Sequence, residues 1–466
     1  MLSAILAAAS DNYRMAGGSG DFYFGHISYT EAKSDGNDPT IRREGAVVPE
    51  PATLNTPVGP GDVIRTTDAR RCEVQFDSGT IVRLDVNTEL KIETILAGSL
   101  SADTGLSNLT LGTGRVYVMF KKYDDREMFQ VMTPNAAVKL KHDSVAVIAV
   151  PGDGPTEVRV KAGKASVLFG IDVTHSKTRT VKKLGRLVVL ADGRFEESGY
   201  PADTAFETWN EGINANFLEL HKGLSPLPKP VRKLPRAVFD FAQRFGNTNG
   251  EWLWDDLYGY VWRPFLNDGR YPWGNWSPYV YGRWAEVGNS MFWVPEEPWG
   301  WVPYHLGLWQ WDRKHGWVWL PGSLFAPAWA AWDFFEGYFA WRPWTLFDWY
   351  FQGGSLGLAY ASGFYSQGGT WYYDGHEDFT MPDHVTPPLT RIRKDQLKKG
   401  EAPGVPIPKE MKKAYGNVVT AMGRKDGRLI ESLKGVPDRF VFVARGDLNA
   451  GRLHDKVLTW DKVRAG

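Results

Sequence analysis

The sequence predicts a mainly β protein. Period-two alternation runs through most of the first half, and tryptophans recur in short strands through the second. Helical spacing is confined to a few isolated stretches. The expected architecture is a β-sandwich or short β-solenoid followed by a Trp-rich antiparallel β-repeat domain, with a linking helix and a small α+β C-terminal unit. At 466 residues the chain is too long for one core. Six segments are expected: an N-terminal arm (1–50), the alternating β-domain (51–200), a helix with a Pro-rich linker (201–250), the Trp-rich domain (251–350), a Gly- and aromatic-rich extension (351–385) and the C-terminal unit or tail (386–466).

The arm is Gly-rich and polar, and its Phe22–Tyr29 stretch reads as one strand docking on the next unit. Its start, Leu2 to Ser10, is apolar and ends in small residues like the tail of an export signal, without a basic leader. Either the start is placed too late or an export signal is partly retained. In the alternating region, Asp62–Thr66, Cys72–Phe76, Thr80–Leu84 and Leu90–Glu93 read as successive strands. Asp77-Ser-Gly79 between two of them fits a three-residue hairpin loop, with glycine where φ must be positive. Further strands follow at Gly114–Phe120, Phe129–Thr133, Ala137–Leu140, Ser144–Val150, Thr156–Val160 and Ala165–Phe169. The single cysteine, Cys72, excludes an intrachain disulfide and reads as a small core residue.

These features occur in an order that resembles the FecR domain. Gly61-Asp62-Val-Ile-Arg-Thr66 resembles its entry, and Val74 to Leu84 its central hairpin. Leu111–Val116, Phe129–Ala136 and Glu157–Val167 follow in the family's order. The resemblance covers about 120 residues and implies a β-domain of exported bacterial proteins. Lys141-His-Asp-Ser144 departs from the family's usual Arg-Gly-Thr, and no adjacent membrane helix is visible, so sigma-factor signalling is not carried over.

Asp203 to Gly223 reads as a helix, capped by Asp203 or Thr204 with Glu207 completing a capping box. Phe206, Trp209, Ile213, Phe217 and Leu220 share one face. A basic, Pro-rich stretch from Lys222 to Arg244 then reads as a solvated linker. Eighteen of the 21 tryptophans fall between Trp252 and Trp349. Pro278–Trp284 aligns with Pro303–Trp309 at an offset of 25 residues, and each precedes an aromatic strand ending in proline. The unit is therefore strand–turn–strand, repeated two or three times, with an echo at Trp299-Gly-Trp-Val-Pro303. This block resembles the Trp-rich domain of unknown function that often follows FecR domains, a resemblance that implies architecture and no activity. Beyond it, Pro408–Met422 reads as a helix with Met411, Tyr415, Val418 and Val419 on one face, and Phe440–Val443 as a strand.

Lys+Arg and Asp+Glu each total 54, which gives no electrostatic footprint for nucleic acid or a membrane surface. No segment has the roughly 18 apolar residues of a membrane helix. Three chemical patterns are weighed. Gly353-Gly-Ser355-Leu-Gly357 has the form of a nucleophile elbow but lacks the helix the motif needs. His305 and His315 on neighbouring Trp strands, and His376, Glu377, Asp378 and His384 in a polar loop, match no metal-ligand spacing. Asp255, Asp256, Glu296, Glu297 and Asp312 lie among aromatic rings as glycosidase carboxylates do, yet Glu296 and Glu297 are turn neighbours expected to be solvated. The expectation is a non-catalytic, exported structural or interaction protein that makes protein contacts or self-associates and takes no cofactor. A glycan-binding module is the alternative and a glycoside hydrolase the second alternative. The candidate binding surface is Trp284, Trp293, Trp299, Trp301, Tyr304, Trp309, Trp311, Trp317, Trp319, Arg283 and Arg313. Its rings either stack on a ligand or pack inward to supply a core.

Overall fold

The computed structural model describes residues 25–33, 35–98, 105–121, 127–170, 175–220, 222, 227–231, 236–266, 276–287, 290–322, 325–335, 338–346, 364–367, 370–373, 376–380, 411–424, 441–448 and 453–458. They form a mainly β chain with a few helices. Two compact units divide them, the first ending at Leu220. The export-like start and the Gly353–Gly357 motif lie outside the described residues, as does His384.

The alternation of the first half builds two sheets around one core. Val74, Val82, Val116, Val118 and Ile148 bury against Ile64, Ile92, Leu109, Phe129 and Val138 of the other sheet. Burial of each such side chain stabilises the fold by roughly 1.5–3 kcal/mol before entropy is counted. The strand Gly105–Phe120 belongs to both sheets. Up to Thr113 it pairs with Glu89–Gly98, and from Gly114 it pairs with Ser144–Val150. The switch falls at Gly114, whose φ of 91° and close approach to Thr88 leave no room for a β-carbon.

Asp77–Gly79 forms the expected hairpin loop: Gly79 has φ 91° and donates to the Phe76 carbonyl, and Phe76 pairs with Thr80. Cys72 is wholly buried between Thr30 and Leu84, and loss of solvent pushes its thiol far above the ordinary range. The arm needs correcting in part. Gly25–Thr30 pairs with Cys72–Phe76, and Thr40–Arg42 with Val63–Arg65, so from Gly25 onward the segment belongs to the sandwich.

The linking helix spans Ala205–Leu220 and lies on the outer face of one sheet, with Phe206 packed on Tyr117 and Val147. The capping box is made by Thr204. Its N–H donates to Glu207 Oε2 at 2.7 Å, and the Glu207 N–H donates back to Thr204 Oγ1 at 3.3 Å. Below the helix, Arg83 and Glu73 form a buried ion pair at 2.7 Å, and Arg83 also donates to the side-chain oxygens of Asn210 (3.1 Å) and Asn214 (2.9 Å). Further along the helix, Phe217 of the predicted face is 38% exposed, and Leu218, which lies off that face, is 71% exposed. Thr204→Ala should cost about 1 kcal/mol, the usual worth of an N-cap. Urea denaturation of both proteins checks this, and an unchanged midpoint would remove the cap from the account.

Among the described residues, the second unit contains four hairpins of one pattern. They are Gly250–Asp255 with Gly259–Pro264, Gly282–Val287 with Ser290–Pro295, Gly307–Asp312 with Gly316–Pro321, and Ala330–Phe335 with Tyr338–Pro343. One register recurs. Trp252 faces Trp262, Trp284 faces Trp293, Trp309 faces Trp319 and Trp332 faces Trp341. Two residues outward, Gly250, Gly282, Gly307 and Ala330 each face a proline. The repeat therefore extends to four copies, further than the two or three read from spacing. The Trp299–Pro303 echo is not a strand, because Trp301–His305 forms one short helical turn.

Other expectations change. The basic linker contains a helix, Arg236–Arg244, whose Phe241 ring meets those of Trp262 and Trp319 edge to face, with centroids 5.1 Å apart in each pair. Of the two readings of the C-terminal segment, unit or tail, its described residues follow the tail. Its helix, Lys412–Gly423, packs Ala414 and Val418, together with the preceding Met411, into the hairpin core, and Val441–Ala444 extends the fourth hairpin by pairing with Tyr338–Trp341. Val419, expected on the packed face, is 38% exposed. His376–Thr380 is a strand paired with Thr370–Tyr373, not a loop. No helix among the described residues is long and apolar enough to cross a membrane.

Candidate functional site

Trp, Gly and Pro dominate the hairpins and leave few aliphatic side chains, so the rings themselves must fill the interior. The proposed ring surface is accordingly core. Trp284, Trp293, Trp299, Trp301, Tyr304, Trp309, Trp317 and Trp319 are all buried, Trp311 and Arg283 are half-buried, and Arg313 is exposed. Several of the rings meet edge to face. Trp284 and Trp293 are 5.1 Å apart, Trp262 and Trp299 5.0 Å, Trp276 and Trp309 5.3 Å, and Tyr279 and Tyr304 4.9 Å. Several indole N–H groups are tied to backbone carbonyls: Trp262 to Gly246 at 2.9 Å, Trp329 to His305 at 3.1 Å and Trp341 to Tyr279 at 2.9 Å.

Glu297 overturns the expectation of a solvated turn acid. It is fully buried, and Oε1 accepts from Trp276 Nε1 at 2.9 Å and from the Tyr304 hydroxyl at 3.0 Å. Loss of solvent raises its carboxyl to about 7 against the pull of those two donors. Its neighbour Glu296 faces outward, 3.4 Å from His454. His305 closes the short helical turn, also fully buried, with Nδ1 bonded to the Ala326 carbonyl at 3.0 Å and its ring 4.2 Å from Trp301. Burial lowers it to about 4, so it is neutral at pH 7.

Asp255 and Asp312 occupy equivalent positions in the first and third hairpins. Asp255 Oδ1 accepts the amide N–H groups of Leu257 (2.9 Å) and Tyr258 (3.1 Å), and Asp312 Oδ1 accepts those of Lys314 (2.9 Å) and His315 (3.1 Å). Ligand atoms of Asp255, Asp312 and His315 lie within 4.8 Å of one another, and His315 Nε2 is 3.5 Å from Asp255 Oδ2. Two carboxylates and an imidazole are a donor set for a divalent ion. The four amide bonds assign the carboxylates a structural role as caps of their loops.

One outward feature among the described residues of the unit is a cleft of about 470 Å³ beside the first hairpin. Trp254 stands at its mouth, 56% exposed, with Nε1 donating to Asp256 Oδ1 at 3.1 Å and the Tyr260 ring edge-on at 5.0 Å. Pro321, Met411 and Ala414 form an apolar wall, and Asp256, Lys413 and Asn417 supply polar groups. Asn417 Nδ2 donates to the Leu257 carbonyl at 2.9 Å, which ties the C-terminal helix to the hairpin loop. Sequence reasoning missed this site. The available signal was position: Trp254 lies beyond the inner Trp pair of its hairpin and opposes a tyrosine.

The two units match two different families. Residues 62–166 match the FecR protein family, and residues 244–348 match a family of unknown function, DUF6600. Both matches agree with the layout read from the sequence motifs. Two crystal structures of a candidate anti-sigma factor from Parabacteroides distasonis ATCC 8503 align with 34% of this chain and 73% of theirs, at 18% identity and a TM-score of 0.26. That overlap is too small to bear on fold or function. No curated protein matches the chain.

Proposed function

We propose that the chain is a non-catalytic interaction protein of the bacterial envelope, and that its aromatic hairpin unit is a binding module working through the Trp254 cleft. One observation carries the reading. A unit that buries eight of the nine candidate rings holds Trp254 half in solvent and fixes it by a hydrogen bond. Further support comes from the groups with shifted acidity. Glu297 and His305 are sealed in the core and held by hydrogen bonds within it.

Cosedimentation of the full chain with isolated bacterial envelopes tests this. The wild type should pellet and Trp254→Ala should stay in solution, while thermal unfolding is unchanged to within about 0.5 kcal/mol, as for an exposed side chain. A variant that pellets equally well would remove the cleft from the function.

Self-association is the second reading, because Ser176–Lys182 lies at the rim of its sheet with six of its seven residues exposed. Its Lys177, Arg179 and Lys182 are the kind of charges that blunt strand addition, which ranks this reading second. Light scattering on the eluting chain decides: a defined oligomer supports assembly, and a monomer at all concentrations discards it.

A further inference from the structure

Resting on the binding-module reading, we infer that the Trp254 cleft is a saccharide site. A pyranose has an apolar C–H face and a rim of hydroxyls, so its receptor needs a fixed flat ring beside several hydrogen-bonding groups. The cleft offers both within one mouth. The Trp254 indole is the platform, and it cannot swing freely because Nε1–H is bonded to Asp256 and Tyr260 packs edge-on against it. Asp256 supplies an acceptor, Lys413 a donor, and Asn417 an amide oxygen beside the Nδ2 already used on the Leu257 carbonyl.

The size agrees. About 470 Å³ lies within the range of roughly 300–1,000 Å³ typical of small-ligand pockets, which suits a few sugar rings entering from an open side. The charge agrees as well. One ammonium and one carboxylate line the cleft, a balance that suits hydroxyl ligands and opposes phosphate-rich ones. A proline-rich peptide is the competing occupant, since aromatic grooves also take such segments. It makes little use of three polar side chains spread around one ring, and for that reason the saccharide is favoured.

The test uses the full chain with chitotetraose, cellotetraose and enzymatically solubilised peptidoglycan fragments, read by calorimetry and by saturation-transfer NMR. At least one probe should bind. Trp254→Ala should weaken that binding by about tenfold or more, a loss of at least 1.4 kcal/mol. Trp254→Phe should keep part of it, because a smaller ring still stacks, and Asp256→Asn should weaken it without changing the unfolding midpoint. Association with envelopes should survive protease treatment of the envelopes. If Trp254-dependent association is lost after protease and none of the saccharides binds, the saccharide inference fails while the binding-module reading stands. If a proline-rich peptide binds in a Trp254-dependent way and the saccharides do not, the occupant is wrong. If the wild type binds neither envelopes nor saccharides, both the inference and the reading beneath it fall.

Discussion

Glu297→Gln should stabilise the hairpin unit by about 3 kcal/mol above pH 7 and leave it unchanged below about pH 4.5. The sign follows from the direction of the shift. The carboxyl is raised from its ordinary 4.5 to about 7 in the folded chain, so the folded state holds its proton more tightly than the unfolded state. The penalty is absent below 4.5, grows as pH rises, and is complete above about 7. Glutamine keeps an oxygen for Trp276 and Tyr304 and carries no charge to desolvate. His305 acts in the opposite sense. Lowered from 6.5 to about 4, it stabilises fully above 6.5 and loses that contribution as pH falls. The wild type should therefore be most stable between these limits, and Glu297→Gln should move the optimum toward neutrality. Urea denaturation followed by tryptophan fluorescence from pH 4 to 8 measures this. Parallel wild-type and variant profiles would mean that the carboxyl titrates alike in the folded and unfolded chains, with no shift from burial.

Gly307→Ala should destabilise the same unit by about 2–4 kcal/mol, from overpacking together with a backbone angle that a β-carbon disfavours. The residue has φ 138°, and a β-carbon there would sit 2.6 Å from the ring nitrogen of Trp319 and against the Leu320 carbonyl. Gly282 repeats the geometry under Trp293, also at 2.6 Å. The glycine two places before the first tryptophan thus lets the opposing indole lie flat over the backbone. The fourth hairpin holds Ala330 at this position and provides an internal control. Ala330→Gly should cost no more than about 1 kcal/mol, the ordinary price of added backbone freedom. Differential scanning of the variants separates the two effects. A Gly307→Ala midpoint equal to wild type would show that the ring shifts aside at little cost.

Much of the first unit was legible in the sequence because its strands alternate cleanly and its turns use specific residues. Asp77–Gly79 and the Thr204–Glu207 box each depend on neighbours within four residues, so local pattern suffices. The second unit was legible in outline only. Its strands are aromatic on both faces, and alternation then says nothing about which ring points inward. Glu297 sits in a Glu-Glu-Pro turn that looks solvated, while its donors lie 21 and 7 residues away. The helix at Arg236–Arg244 was obscured by flanking prolines and basic residues. The pairing of Trp341 with Val441 spans a hundred residues and leaves no local trace. Trp254 was hidden for a related reason, since composition cannot distinguish an indole that fills a core from one that meets solvent.

The wholly enclosed position of Cys72 has a practical consequence. The chain carries one thiol in its first unit and nearly all its indoles in its second. Reagent trapping of that sulfur therefore times the opening of the sandwich, while intrinsic emission follows the hairpins. Two spectroscopically independent clocks come with the unaltered protein, and their divergence would reveal whether its halves unfold in concert or in succession.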